Sequence, residues 1–165
     1  MNVKDIARAV RLLLLAAWVG AAIFFSAIVA PALFAVLPTR ELAGAVVGRV
    51  LPMLNWAGLI IALALLASRR LDQTTTAARR IIAAGVSALA AATACGLLIS
   101  ARIEALRRTM PGPIDSLAPG DPLRQAFGQW HALSVLALAV GIVAATLASL
   151  AMAKRRADPL GGTDR

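Results

Sequence analysis

A chain of 165 residues that is 60% hydrophobic, with a mean hydropathy of +0.81, exceeds the roughly 45–50% apolar usage of soluble domains, which excludes an ordinary water-soluble globule. The formal net charge of +9 would point to nucleic acid in a soluble protein, but here Lys and Arg cluster beside apolar runs, where such residues orient membrane spans and meet anionic headgroups. A single cysteine, Cys95, excludes an internal disulfide and a CxxC or CxxCH motif.

Crossing about 30 Å of hydrocarbon takes roughly 20 helical residues. Four runs are long enough: 12–37, 50–67, 81–101 and 132–153. In lipid the backbone must satisfy its own hydrogen bonds in helices or a closed barrel, and none of the four runs alternates with the period of two that a barrel strand needs. The predicted fold is therefore all-α: an integral membrane four-helix bundle forming one domain over 1–165, with an outer loop at 102–131.

The first run follows Lys4, Arg8 and Arg11, which gives it the look of a signal peptide. A signal core spans about 7–15 residues, whereas this run continues past Trp18 to Phe34, so a retained span is expected. Pro31 within it cannot donate to the carbonyl four residues back, which predicts a kink.

Thr39 is placed to cap a helix that feeds into the second span. On that helix Gly44, Gly48, Asn55 and Gly58 share a face that should meet protein, Gly44 and Gly48 being a close-approach pair, and Pro52 should bend it. The third span carries Ala84, Ala88, Ala92, Gly96 and Ser100 at four-residue spacing, a stripe suited to tight packing. Beyond it Glu104 and Arg108 form an i,i+4 pair, and then prolines and glycines break the helix. On the fourth span His131, Ser134, Leu138, Gly141 and Ala145 line one face, which predicts that His131 faces the bundle. Trp56 and Trp130 are expected at the outer interface.

Orientation follows from the basic residues. Lys4, Arg8 and Arg11, then Arg69, Arg70, Arg79 and Arg80, then Lys154, Arg155, Arg156 and Arg165 outnumber those in the first and third connections, so both termini and the middle connection are expected in the cytoplasm (N-in, C-in). The polar residues nearest hydrocarbon then gather at the outer side: Arg49, Asn55, Ser100, Arg102, Glu104, His131 and Ser134.

The segments "WVG" at Trp18, "VAPALFAVLP" around Pro31, "ELAGAVVGR" with "NWAG" from Glu41 to Gly58, and "FGQWHALS" from Phe127 to Ser134 resemble the small four-span membrane family of the transmembrane-protein-205 type, a domain of unknown function in bacteria. The resemblance runs from Trp18 to about Leu138 and implies four membrane helices with no established reaction, and handling of metals or xenobiotics. One departure is the apolar stretch Val135 to Leu138, where such proteins often carry an Asn or Tyr. The first span also resembles the copper resistance D group, whose extra histidines are missing here.

No Ser-His-Asp spacing, paired intramembrane carboxylates, phosphate loop or metal-ligand cluster is present in the sequence, so no enzyme activity and no cofactor is expected. A Cu(I)-type site or a haem would have to combine His131 with Met53 or Met110. The leading expectation is transport or tolerance of a small solute or metal through a shallow polar site on the outer side of a bacterial inner membrane. The alternative is a structural or interaction module whose small-residue faces bind a second copy or another membrane protein. A metal or haem carrier is the third reading. Expected partners are the lipid bilayer and such a membrane protein, and not nucleic acid.

Overall fold

The computed structural model describes residues 3–68 and 76–153. Every main element is helical: α1 Val3–Phe24, a π turn Phe25–Val29, α2 Ala30–Val36, α3 Arg40–Ala67, α4 Thr76–Thr109, a short 3-10 turn Ile114–Ser116 and α5 Pro122–Ala153. Four stretches, Asp5–Val36, Arg40–Ala67, Ala77–Thr109 and Pro122–Ala153, are long and apolar enough to cross a membrane. The chain is thus a multi-pass membrane protein, built as a four-helix bundle. Each helix outruns the apolar window read from the sequence, and the irregular third connection shrinks from 102–131 to the residues between Thr109 and Pro122.

The disturbance expected at Pro31 takes the form of the π turn just before it. With no N–H on Pro31, the carbonyl of Ala27 loses its usual donor, and the chain widens locally so that the Ala30 N–H reaches back five residues to Phe25. Helix α3 begins as expected: the Thr39 hydroxyl accepts from the Leu42 N–H at 3.2 Å. Its α-helical run is unbroken through Pro52.

Neighbours in sequence are neighbours in space, and α5 packs back on α1 to close the ring. The start of α1 and the ends of α3 and α5 share one end of the bundle. There the Arg8 guanidinium donates to the Met152 carbonyl, and Arg11 Nη2 donates to the Ser68 carbonyl at 2.6 Å. Two arginines of one helix thereby neutralise the negative carbonyl ends of two others. This is the end that the basic residues assign to the cytoplasm and is called inner below. Of those basic residues, Arg69, Arg70, Lys154, Arg155, Arg156 and Arg165, with the Lys4 side chain, lie outside the described residues.

The core centres on Trp18, 3% exposed, with Leu15 and Ala22 beside it on α1. Its indole N–H donates to the Leu54 carbonyl at 2.9 Å. A Cβ added to Gly58 would lie 2.6 Å from Trp18 Nε1, and one added to Gly141 would lie 3.1 Å from Cη2. The two glycines make room for one ring that touches α3 and α5 together. On α4 the buried positions include Ile82, Val86, Leu89, Thr93 and Gly96, a four-three alternation that keeps one seam facing inward, with Ala92 and Ile99 buried beside it.

That seam corrects the expected alanine stripe. Ala92 and Gly96 are buried, but Ala88 is half-buried and Ala84 exposed, because four-residue steps on a 3.6-residue helix drift by about 40° each. Gly85 is a close approach of α4 to α5, where a Cβ would sit 2.9 Å from the Ala144 carbonyl oxygen. Gly58, Gly141 and Ala145 are buried, as expected of packing residues.

Candidate functional site

At the outer end α4 continues about two turns past its apolar window and carries Arg107 over α3. Arg107 Nη1 donates to the Gly44 carbonyl at 3.1 Å. A Cβ on Gly44 would come within 2.7 Å of Nη2, and one on Gly48 within 3.3 Å of Nη1. The pair read as a helix–helix contact is therefore a seat for a guanidinium. Gly48 itself is exposed.

Helix α5 closes the other side. The Arg107 Cζ lies 5.5 Å from the centroid of the Phe127 ring, a cation–π distance. One turn further, His131 stacks parallel on Phe127 with centroids 6.3 Å apart. The imidazole is exposed, which corrects the expectation that it faces the bundle. The inward positions on either side are taken by Phe127 and Ser134, and His131 falls on the flank of the same stripe, at the mouth. Trp130 is half-buried and Trp56 exposed at this end.

Below the mouth the bundle is closed. Ser134 is buried and spends its hydroxyl on the His131 carbonyl at 2.7 Å, while Ser100 donates to the Gly96 carbonyl at 2.8 Å. Asn55, 3% exposed, lies flat on α4: all three atoms of its amide fall within 2.9 Å of the Cβ that Gly96 lacks. Among the described residues its amide has no hydrogen-bond partner. One turn deeper Trp18 fills the centre. Arg107, Phe127 and His131 thus stand above packed, buried side chains at the outer end.

The seven polar residues read as an outer cluster are only partly gathered. Arg49, Arg102, Glu104 and His131 are exposed, Ser100 is half-buried, and Asn55 and Ser134 are buried. Among the described residues, no hydrogen bond or ion pair joins the side chains of any two of them. Glu104 instead pairs with Arg108 at 3.2 Å. The soft-metal set is not drawn together on the inner faces. Met53 is 59% exposed and stands two residues from Asn55, on the opposite side of α3. Among the described residues no group of three His, Cys, Asp or Glu side chains could hold a metal ion.

Sequence reasoning missed Arg107, Phe127 and Trp18 as organising residues. A signal was present for Arg107: the acidic residue within reach on its own helix, Glu104, pairs with Arg108, while two glycines stand opposite on α3.

Residues 13–111, well over half of the chain, match a family model described as a domain of unknown function, DUF4149. The match runs from the second half of α1 through α4 and leaves α5, with Phe127 and His131, beyond it. No curated protein and no solved structure matches the chain.

Proposed function

Because the chain belongs to the DUF4149 family, whose function is unknown, its chemistry has to be read from its own residues, and we propose a non-enzymatic, solute-binding protein of the bacterial inner membrane. Its outer end takes a small anionic group, a phosphate or carboxylate, on Arg107. The observation that carries this reading is the pre-set guanidinium: seated on Gly44 and Gly48, faced by Phe127, half-buried, and with only one of its five N–H donors committed to a protein acceptor. His131 adds a second nitrogen-bearing ring at the rim. A metal cation would meet the repulsion of Arg107, which turns the expected metal tolerance toward anionic solutes. The likeness to the transmembrane-protein-205 type supports a tolerance role of this kind.

Isothermal titration of the purified protein with inorganic phosphate, and separately with acetate, tests the reading. Saturable binding is expected, weakened about tenfold or more by Arg107→Gln, the loss expected for a charge-assisted hydrogen bond. Arg107→Lys should recover only part of it, since an ammonium lacks the planar fork. Equal binding by wild type and Arg107→Gln would sink the proposal.

A second reading, a structural or interaction module, is favoured by a different observation: the Ser100 and Ser134 hydroxyls are consumed within their own helices, and Trp18 blocks passage beneath them. Absence of any anion binding, together with a partner crosslinked through the bundle surface, would favour it.

A further inference from the structure

Two aromatic rings beside Arg107 narrow the choice of anion. The Phe127 ring faces the guanidinium, with Cζ 5.5 Å from its centroid, and the His131 ring lies parallel to Phe127 within 2°, the centroids 6.3 Å apart. We propose, resting on the anion-binding reading above, that the anion held at Arg107 is an aromatic carboxylate whose ring stacks on His131. The imidazole is then the specificity-determining group of the site.

Charge is the first observation that selects this class. Arg108, the next residue, is paired with Glu104 at 3.2 Å, and Arg124, about one turn before Phe127, gives Nη1 to the Leu117 carbonyl at 2.8 Å. The guanidinium over Phe127 therefore acts as a single positive charge. Its planar fork matches one carboxylate, whereas a phosphate dianion calls for a second cation.

Ring geometry is the second. Parallel rings whose centroids are 6.3 Å apart cover little of each other, and His131 is exposed while Phe127 is half-buried. The imidazole keeps a face for a third ring, and aromatic pairs favour offset contacts with centroids about 4.5–7 Å apart. With N···O contacts of about 2.8 Å, a carboxylate forked on Arg107 holds an attached phenyl centroid on the order of 7 Å from Cζ. That reach is comparable with the 6.3 Å step from Phe127 to His131.

Depth is the third. His131 follows Phe127 by one turn of α5, which sets it about 6 Å nearer the hydrocarbon. From the outside inward, the order is guanidinium with phenyl ring, then imidazole. A small aryl acid at a membrane surface takes the same order, carboxylate toward water and ring toward the acyl chains. Phosphate and acetate have no ring to place there.

The test uses the full chain in phosphatidylcholine nanodiscs, titrated calorimetrically with benzoate, cyclohexanecarboxylate and acetate; heat from nanodiscs carrying Arg107→Gln is subtracted as partition into lipid. Benzoate should bind about two- to tenfold tighter than cyclohexanecarboxylate, the contribution of one aromatic pair for acids of similar size. His131→Ala should abolish that preference. His131→Phe keeps a ring without its nitrogens and should retain the preference, which separates stacking from hydrogen bonding. Both variants alter an exposed side chain, and an unchanged melting temperature confirms the fold. Equal affinity for benzoate and cyclohexanecarboxylate, with acetate still bound through Arg107, overturns the aromatic preference and leaves the anion-binding reading in place. A preference that survives His131→Ala, or one lost in His131→Phe, overturns the stacking role of His131. Absence of Arg107-dependent binding for all three acids removes the anion-binding reading and the aromatic ligand with it.

Discussion

One indole, that of Trp18, organises the bundle, and Gly58→Ala tests that role. The new methyl would stand 2.6 Å from Trp18 Nε1, 2.7 Å from Cε2 and 2.8 Å from Thr93 Cγ2. No real Cβ sits so close, so the ring has to move. Overpacking of this kind costs about 1–3 kcal/mol. Moving the ring also breaks the 2.9 Å bond from Nε1 to the Leu54 carbonyl and strands a buried donor, a further cost of about 1–3 kcal/mol. Replacing a mid-helix glycine returns up to about 1 kcal/mol. The net expectation is a loss of about 1–6 kcal/mol, following from those three contributions. Equilibrium unfolding of the detergent-solubilised protein by SDS, followed by tryptophan fluorescence, measures it. Gly20→Ala is the control: nothing lies within 4 Å of its added methyl, so it should be neutral or slightly stabilising. A double-mutant cycle with Trp18→Leu isolates the contact, because with the indole gone Gly58→Ala should cost clearly less, keeping only the clash with Thr93 Cγ2. Additive losses in that cycle would refute the argument.

Other outcomes follow from single contacts. Arg11→Met removes a buried guanidinium from the Ser68 carbonyl, 2.6 Å away, and should cost about 1.5–3 kcal/mol, the range for hydrogen bonds to charged groups, in the same unfolding assay. Gly96→Ala drives a methyl into the Asn55 amide; it should destabilise the bundle by about 1–3 kcal/mol, and Asn55→Ala in the same chain should restore most of that loss. Glu104→Gln, which breaks an ion pair exposed on both sides, should change stability by less than about 0.5 kcal/mol.

The four helices, the Thr39 cap and the inward placement of Asn55, Gly58, Gly96, Gly141 and Ala145 were legible because apolar length and 3.6-residue periodicity are set locally. What was not legible depends on phase. In α4, alanine occupies so many positions that a stripe at 84, 88 and 92 looks as good as the true seam at 82, 86, 89 and 93. Only the large residues Ile82, Val86 and Leu89 in that second series distinguish them. The outer site failed to emerge for a different reason. Arg107 reads as one more interfacial arginine until α4 is known to extend over Gly44, and the match between a long side chain on one helix and two glycines on another is a tertiary fact. His131 drew attention as the only histidine, yet the inward positions around it belong to Phe127 and Ser134.

The central claim, an anion-binding site on the face opposite the helix ends clamped by Arg8 and Arg11, is tested most directly by labelling a single cysteine at its rim. In a Cys95→Ala background, Gly128→Cys places a thiol at an exposed site with nothing within 4 Å of the new Cβ. The account predicts that a membrane-impermeant maleimide labels it from outside intact cells, and that phosphate slows the reaction unless Arg107 is replaced by Gln. Labelling only after the membrane is opened, or a rate indifferent to phosphate with Arg107 in place, would contradict it.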